Sequence, residues 1–187
     1  MRKLKLQIQT TLDGFVAGPE GQGDWIWLSG PAPEGSRKIL ELAESCDTLL
    51  LGRKMIPDFI KHWESIVDSQ PDSPQAAMAR QMVNMRKIVF SRTQTDIKGR
   101  NLEVENGDLA TAVQRLKEQP GRDILVYGGA NFVSSLISLN LIDEYYIIIN
   151  PVAIGKGLSI FKEQKLLKLE SSTAFTNGKV MNKYLPV

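Results

Sequence analysis

The feature that most constrains the fold is a series of short, continuous apolar runs separated by segments of helical periodicity. The runs are "DTLLLG" at 47–52, "KIVFS" at 87–91 and "ILVY" at 124–127. A strand that is apolar without alternation is typical of a parallel sheet that helices cover on both faces. The sequence therefore predicts an α/β fold in which strands and helices alternate through the middle of the chain.

Further strands are predicted at the two ends of the chain. "LKLQIQT" at 4–10 alternates apolar and polar residues, and "DEYYIIINPV" at 143–152 is largely apolar. The last segment, 167–187, is predicted to form two strands joined by Asn177-Gly178, a dipeptide typical of hairpin turns. We expect one domain over residues 1–187, a three-layer α/β fold with a mixed, mostly parallel sheet and a C-terminal antiparallel hairpin.

Helices are predicted between these strands from apolar residues that recur every three or four positions, and from capping signals at their ends. Residues 64–75 are expected to form a loop. Proline disrupts a helix interior, so an interruption is expected near Pro57. The predicted helices are 36–44; 53–63, interrupted near Pro57; Ser73 to about Met85, with Ser73 as N-cap; 109–118, with Asp108 as N-cap; and a helix that begins after Gly128-Gly129.

The composition argues against several classes of protein. The chain of 187 residues carries 23 basic and 21 acidic residues, a balance that favours neither a nucleic-acid nor a membrane surface. One cysteine, Cys46, cannot form an intrachain disulfide, and one histidine, His62, leaves too few ligands for a zinc site. We therefore expect a cytoplasmic protein without a metal.

Residues suited to phosphate binding follow three of the predicted parallel strands. Gly52-Arg53-Lys54 follows the first, Ser91-Arg92-Thr93 the second, and Gly128 to Asn131 the third. Ligands of open α/β sheets bind beyond the carboxyl ends of the strands, so we expect these motifs to lie at one edge. Glycines would expose backbone N–H groups at a helix N-terminus, and arginine and lysine would add positive charge. Each motif alone is also typical of an ordinary turn, and no GxGxxG or Walker-type loop is present.

These three strand ends, in this order, resemble those of the dihydrofolate reductase-like superfamily. The greatest resemblance is to the branch that contains the reductase domain of bacterial riboflavin biosynthesis, and it spans nearly the whole chain. It implies an NADPH-dependent reductase, usually dimeric in this branch, so we expect NADPH as cofactor and a homodimer. The segments that carry the resemblance are "TTLDGFVAGPEGQGDW", "LLLGRKMIPDF", "KIVFSRT", "ILVYGGANFVSSLI" and "INPVAIGKGLSIF".

The resemblance also implies cofactor contacts for individual residues. By motif, these contacts are Gly52, Arg53 and Lys54 at the phosphates; Ser91, Arg92 and Thr93 at the adenosine end, with Arg92 at the 2′-phosphate; Gly128, Gly129, Ala130 and Asn131 at the pyrophosphate and ribose; and Ala17 and Gly18 beside the nicotinamide.

Departures from the family pattern leave the substrate open. Met55 stands where folate reductases have a threonine, and the helix near 34–44 has glutamates but no matching motif for holding a pterin. A zinc deaminase domain usually accompanies the riboflavin enzyme, and none is expected within residues 1–187. The first hypothesis is a reductase of a small heterocyclic or ribosyl-linked substrate, similar to 5-amino-6-(5-phosphoribosylamino)uracil reductase. The alternatives are a dihydrofolate reductase and a non-catalytic nucleotide-binding module.

The glycine-rich segment after the first strand offers the candidates for the substrate side. Asp24 is a candidate for a catalytic role, with an exposed or capping residue as the alternative. Trp25 and Trp27 are candidates for the walls of a pocket for a flat heterocycle, with core packing as the alternative.

Overall fold

An eight-stranded sheet flanked by five α-helices forms the computed structural model, which describes all 187 residues. The strands are β1 (Leu4–Thr10), β2 (Cys46–Gly52), β3 (Arg86–Phe90), β4 (Leu102–Glu105), β5 (Asp123–Gly128), β6 (Glu144–Ile149), β7 (Leu167–Ala174) and β8 (Val180–Pro186). The helices are α1 (Pro33–Glu44), α2 (Ile56–Ser69), α3 (Ala76–Asn84), α4 (Leu109–Glu118) and α5 (Ala130–Ser138).

The strand order in the sheet is β4-β3-β2-β5-β1-β6-β8-β7. The first six strands of this order pair in parallel, and β8 pairs antiparallel with both β6 and β7. The predicted fold class is confirmed, including the C-terminal hairpin, whose turn residue Gly178 has a φ of +82°. The parallel part places the carboxyl ends of six neighbouring strands along one edge.

Two cores, one on each face of the sheet, explain the continuous apolar runs. In β2, Leu50 packs among residues of α4 and α5, whereas Leu49 and Leu51 pack against α1, α2 and α3. All three leucines are completely buried. Burying one such side chain stabilises the fold by about 1.5–3 kcal/mol, so both faces of the strand must be apolar.

The structure corrects the prediction for the region around Pro57. The predicted helix over 53–63 is divided one residue before Pro57, where a short 3₁₀ helix over Arg53–Met55 gives way to α2. Pro57 itself does not break α2, because it lies in the first turn, where its missing N–H has no intrahelical partner to lose. The helix then continues to Ser69, so the predicted loop over 64–75 is wrong in its first half. The next helix begins at Ala76 rather than after Ser73, whose hydroxyl instead accepts a hydrogen bond from the backbone N–H of Gln75 at 3.2 Å.

Other boundaries differ by a few residues. The first helix begins at Pro33, and β6 covers only Glu144–Ile149 of the predicted 143–152. The short outer strand β4 was not predicted, because its sequence "LEVE" holds only two apolar residues. Asp108 caps α4 as predicted and accepts a hydrogen bond from the N–H of Thr111 at 2.9 Å. None of the five helices combines the length and the apolar character needed to cross a membrane.

Candidate functional site

The three motifs predicted to bind phosphate lie at the same edge of the sheet. Gly52, at the end of β2, is paired with Phe90 at the end of β3. On its other side, Leu51 is paired with Gly128 at the end of β5. The segments 52–54, 91–93 and 128–131 therefore leave the sheet from three adjacent strands, as the sequence predicted.

The glycines at this edge allow two backbones to touch. A side chain at Gly52 would place its first carbon 2.9 Å from Cβ of Phe132, and one at Gly129 would lie 3.4 Å from Cα of Gly52. Gly129 also has a φ of +96°, which favours glycine. It precedes the first residue of α5 and offers no side-chain cap, so N–H groups of the first helical turn are left for an external acceptor.

A cleft of about 850 Å³ opens between the ends of β3 and β4 and the helices α4 and α5. Its apolar part includes the stacked rings of Phe90 and Phe132, whose centroids are 5.2 Å apart. Three residues predicted for the cofactor, Ser91, Arg92 and Asn131, line this cleft. The other lining residues are Glu105, Gly107, Asp108, Leu109, Ser134, Ser135, Ser138 and Leu139.

The segment that carries Arg92 is a hydrogen-bonded turn. The buried hydroxyl of Ser91 accepts a hydrogen bond from the N–H of Gln94 at 2.9 Å. The amide nitrogen of Asn106 donates to the carbonyl oxygens of Ser91 at 2.5 Å and of Gln94 at 3.0 Å. Asn106 carries no local signal in the sequence, because its partners lie 15 and 12 residues away in the chain.

The cations and the carboxylates of this edge differ in their pairing. Arg53, Lys54 and Arg92 form no ion pair. In contrast, the Glu105 carboxylate pairs with Arg115 at 2.5 Å. Hydrogen bonds from the N–H and the hydroxyl of Thr111 lower the pKa of Asp108, whose carboxylate caps α4. The charges of the cleft that lack an ion-pair partner are therefore the positive charge of Arg92 and the negative charge of Asp108, and only the latter is engaged by hydrogen bonds.

Met55, which follows the Gly52-Arg53-Lys54 motif, fills space beside Gly128-Gly129. Its sulfur would lie 2.8 Å from a side-chain carbon placed on Gly128. Ala130, the first residue of α5, is half-buried, whereas Lys54 and Thr93 are exposed. Gly128 is therefore packed against its neighbours, whereas the side chains of Lys54 and Thr93 extend into solvent.

Ala17 and Gly18 lie in the loop after β1 and contact a different part of the edge. Ala17 forms an antiparallel bridge with Leu158, whose N–H donates to its carbonyl oxygen at 2.8 Å. The N–H of Gly18 donates to the carbonyl oxygen of Gln22 at 2.8 Å within the same loop. Because β1 is the strand next to β5, both residues belong to the same edge as the phosphate motifs, but they do not line the cleft.

The three substrate-side candidates occupy contrasting environments. Asp24 is exposed and its carboxylate makes no ion pair, and Trp27 is 66% exposed. Trp25 is only 5% exposed, yet its indole Nε1–H is buried without an acceptor. Buried donors almost always have partners, so the Trp25 nitrogen is an unusual donor.

The tip of the C-terminal hairpin holds the segment that carries Trp25. The Lys179 ammonium donates to the carbonyl oxygen of Ile26 at 2.7 Å and to Oε1 of Gln9 at 3.2 Å, and burial lowers its pKa. Asn177 donates from its amide to the carbonyl oxygen of Gly30 at 2.9 Å. These contacts join residues about 150 positions apart, and sequence analysis assigned no role to them.

Comparison with known proteins gives a consistent result. A family model described as the RibD C-terminal domain matches residues 2–181. The uncharacterized protein YyaP of Bacillus subtilis (strain 168) is 31% identical over 186 residues, which are 98% of this chain and 94% of that protein. The uncharacterized protein YwjB of the same organism is 26% identical over 177 residues, which are 93% of this chain and 92% of that protein.

Solved structures share the fold. A putative riboflavin biosynthesis protein from Shewanella sp. PV-4 superposes with a TM-score of 0.74 at 22% identity, covering 100% of this chain and 99% of that chain. A diaminohydroxyphosphoribosylaminopyrimidine deaminase/5-amino-6-(5-phosphoribosylamino)uracil reductase from Thermotoga maritima gives a TM-score of 0.70 at 18% identity. This chain is fully covered in that comparison but spans only 57% of the Thermotoga chain.

Proposed function

Because the chain belongs to the RibD C-terminal domain family, we propose that it is an NADPH-dependent reductase. Its substrate would be a small heterocyclic or ribosyl-linked compound, similar to that of 5-amino-6-(5-phosphoribosylamino)uracil reductase. The observation that carries the proposal is the carboxyl edge of the sheet, where unpaired cations, packed glycines and a helix N-terminus come from three adjacent strands.

The residues at this edge fit a dinucleotide phosphate. A pyrophosphate needs close backbone approach and N–H donors, which Gly129 and the first turn of α5 provide. Arg53 and Lys54 would add charge there, and the cleft beside Arg92 is large enough for an adenosine group. When bound, NADPH would supply the hydride, and the protein would bind the reactants, orient them and exclude water.

The side of the edge formed by β1, β6 and β8 is proposed to receive the substrate. Trp25 lies in the loop on this side, with its indole nitrogen buried and without an acceptor, and Lys179 and Asn177 fix the backbone of its segment. Asp24, next to Trp25, is exposed to solvent and stays our candidate for proton transfer. The product also requires a proton, and a solvent-exposed carboxyl group can relay one from water.

The dihydrofolate reductase alternative has less support. Glu34, the first glutamate of α1, accepts hydrogen bonds from the N–H and the hydroxyl of Thr176 at 2.7 and 2.6 Å, and these bonds lower its pKa. Glu41 and Glu44 are exposed on the same helix. A carboxylate already engaged by two donors is poorly placed to hold a pterin.

The experiment that tests this proposal is a steady-state assay of NADPH oxidation with two candidate substrates. We expect turnover with 5-amino-6-(5-phosphoribosylamino)uracil or a dephosphorylated analogue, and none with dihydrofolate. Turnover with dihydrofolate alone would favour the alternative, and NADPH binding without turnover would favour a non-catalytic module. A protein that binds no NADPH would exclude every reductase hypothesis.

A homodimer remains our proposal for the assembly. The outer strand β7 has a free edge, and Leu166 and Leu169 beside it are 71% and 52% exposed. Exposed edges that carry apolar side chains are suited to pairing with another chain. Light scattering after size-exclusion chromatography should give twice the chain mass of 20.8 kDa. A mass of one chain at all concentrations would contradict the proposal.

A further inference from the structure

We propose that Asn106 is a positioning residue that confers preference for a phosphate at the adenosine end of the cofactor. It does so by fixing the turn that carries Arg92, the residue expected to contact that phosphate. This inference rests on the proposed function. Asn106 would contact neither the cofactor nor the substrate. It would fix the position of the backbone from which the Arg92 side chain extends.

The contacts of Asn106 bracket Arg92 on both sides. Its amide group donates to the carbonyl oxygen of Ser91 at 2.5 Å, directly before Arg92, and to that of Gln94 at 3.0 Å, two residues after it. One side chain therefore ties both ends of the Ser91–Gln94 turn to the loop that follows β4. Each of these hydrogen bonds restricts the backbone on one side of Arg92.

Few other interactions hold this turn in place. The N–H of Ser91 donates to the carbonyl oxygen of Glu105 at 3.1 Å, which continues the pairing of β3 with β4. The hydroxyl of Ser91 accepts from N–H groups within the turn itself. Residues 92–96 are exposed and belong to no helix or strand. Asn106 is thus the one side chain outside the turn that forms hydrogen bonds with it.

The charge of the cleft makes the position of Arg92 decisive. Of the charged residues that line the cleft, Glu105 is engaged by Arg115 and by the N–H of Gly107, and Asp108 caps α4. Arg92 alone lacks a partner. Because Arg115 already neutralises Glu105, an anion that enters the cleft depends on Arg92 to offset the Asp108 carboxylate. Small displacements weaken a guanidinium–phosphate pair because its geometry is directional.

The test compares the dissociation constants of NADPH and NADH, which differ only by the 2′-phosphate. Titrations are run on the wild type, Asn106→Ala, Arg92→Ala and the double variant, with melting temperature as a check of folding. Asn101→Ala is the matched control, since the Asn101 amide likewise donates to two carbonyl oxygens, those of Val83 and Asn84, both at 3.3 Å. It does so at the opposite end of β4.

We expect Asn106→Ala to lower the preference for NADPH over NADH by about threefold to tenfold, as the loss of up to two hydrogen bonds that fix the turn allows. The double variant should show no further loss of preference beyond Arg92→Ala, because residues that act through one another are not additive. Asn101→Ala should lower the melting temperature without changing the preference. Asn106→Gln, which keeps the amide, should retain more of the preference than Asn106→Ala.

Two results would overturn the inference. One is an equal loss of NADPH and NADH affinity in Asn106→Ala, which would assign Asn106 to general loop stability. The other is a loss of preference that persists when Arg92 is already replaced. Failure of the proposed function itself has a different signature, since the wild type would then bind neither nucleotide.

Discussion

Charged side chains are paired at the amino edge of the sheet, whereas the carboxyl edge leaves Arg53, Lys54 and Arg92 unpaired. The Glu144 carboxylate, only 5% exposed, binds Lys3 at 2.7 Å and the hydroxyl of Tyr146 at 2.7 Å. Burial raises the pKa of Glu144, but these hydrogen bonds outweigh the burial and leave it lowered. Further ion pairs at the amino edge are Arg2–Asp47, Lys5–Asp123, Arg86–Glu103, Lys117–Asp143 and Lys183–Glu144.

This difference in charge pairing assigns the amino edge of the sheet to stability and the carboxyl edge to ligand binding. Paired charges at the amino edge complete the hydrogen bonding of groups that folding removes from water. Unpaired cations at the carboxyl edge keep their charge available to a ligand, at little cost because they are only partly buried or exposed. Substitutions at the first edge should therefore change stability, and substitutions at the second should change binding.

The largest effect is expected for Glu144→Gln at the amino edge. Glu144 is only 5% exposed and accepts hydrogen bonds from Lys3 and from the hydroxyl of Tyr146, so the loss of its charge should lower the free energy of unfolding by about 3 kcal/mol. The control is Glu170→Gln, because Glu170 pairs with the same Lys183 but is 44% exposed, and exposed pairs contribute below about 1 kcal/mol. Urea denaturation measures both variants. Equal losses would contradict the distinction between buried and surface pairs.

At the carboxyl edge, Arg92→Ala should weaken cofactor binding and leave stability almost unchanged. A hydrogen bond to a charged group contributes about 1.5–3 kcal/mol, so NADPH should bind roughly tenfold to a hundredfold more weakly, with a much smaller change for NADH. Stability should stay within about 0.5 kcal/mol of the wild type. Arg80→Ala, at an exposed and unpaired arginine of α3, should alter neither quantity. Equal weakening of NADPH and NADH binding would show that Arg92 does not contact the 2′-phosphate.

Gly128-Gly129 lies at the carboxyl edge but serves both packing and binding, so substitutions there should change both stability and NADPH binding. Gly129→Ala forces a left-handed residue and a contact at 3.4 Å, so we expect about 1–3 kcal/mol of lost stability together with weaker NADPH binding. Gly155→Ala is the control, since Gly155 has a φ of +76° but open space around it. A Gly129→Ala protein that binds NADPH normally would show that the glycines serve packing alone.

The smallest effect concerns pH. The folded-state pKa values of Glu144 and Asp123 are lowered, although burial alone raises them, because lysine and other donors bind the carboxylates. Their contribution to stability is therefore complete above the unfolded pKa of about 4 and is lost as the pH falls through the lower folded value. The melting temperature should decline below about pH 4.5, and less steeply in Glu144→Gln. Identical acid profiles would exclude Glu144 as a source of this stability.

Much of the fold could be predicted because burial on two faces leaves a clear mark on the sequence. Continuous apolar runs located β2, β3 and β5 to within one residue at either end. The edge strand β4 escaped prediction because it is short and half polar. The end of α2 was not predicted because its last six residues, "ESIVDS", include only two apolar side chains. The effect of Pro57 was misjudged because proline is tolerated in the first turn of a helix but not in its interior.

The site was predictable only where its chemistry is local. Glycines and cations that directly follow a strand are adjacent in sequence, so their shared edge followed from parallel topology. Asn106 and Lys179 act through contacts with residues 12 to 170 positions away, and no short motif encodes such contacts. The buried, unpartnered nitrogen of Trp25 likewise emerges only from the folded chain.

Calorimetric titration of the wild-type protein with NADPH tests the central claim most directly. If the carboxyl edge is a dinucleotide phosphate site, the titration should saturate with one NADPH per chain below about 1 mM, the upper end of the usual range of enzyme affinities. Binding should also weaken as salt screens the unpaired cations. A titration that shows no saturable heat and no shift in melting temperature with millimolar NADPH would contradict the account.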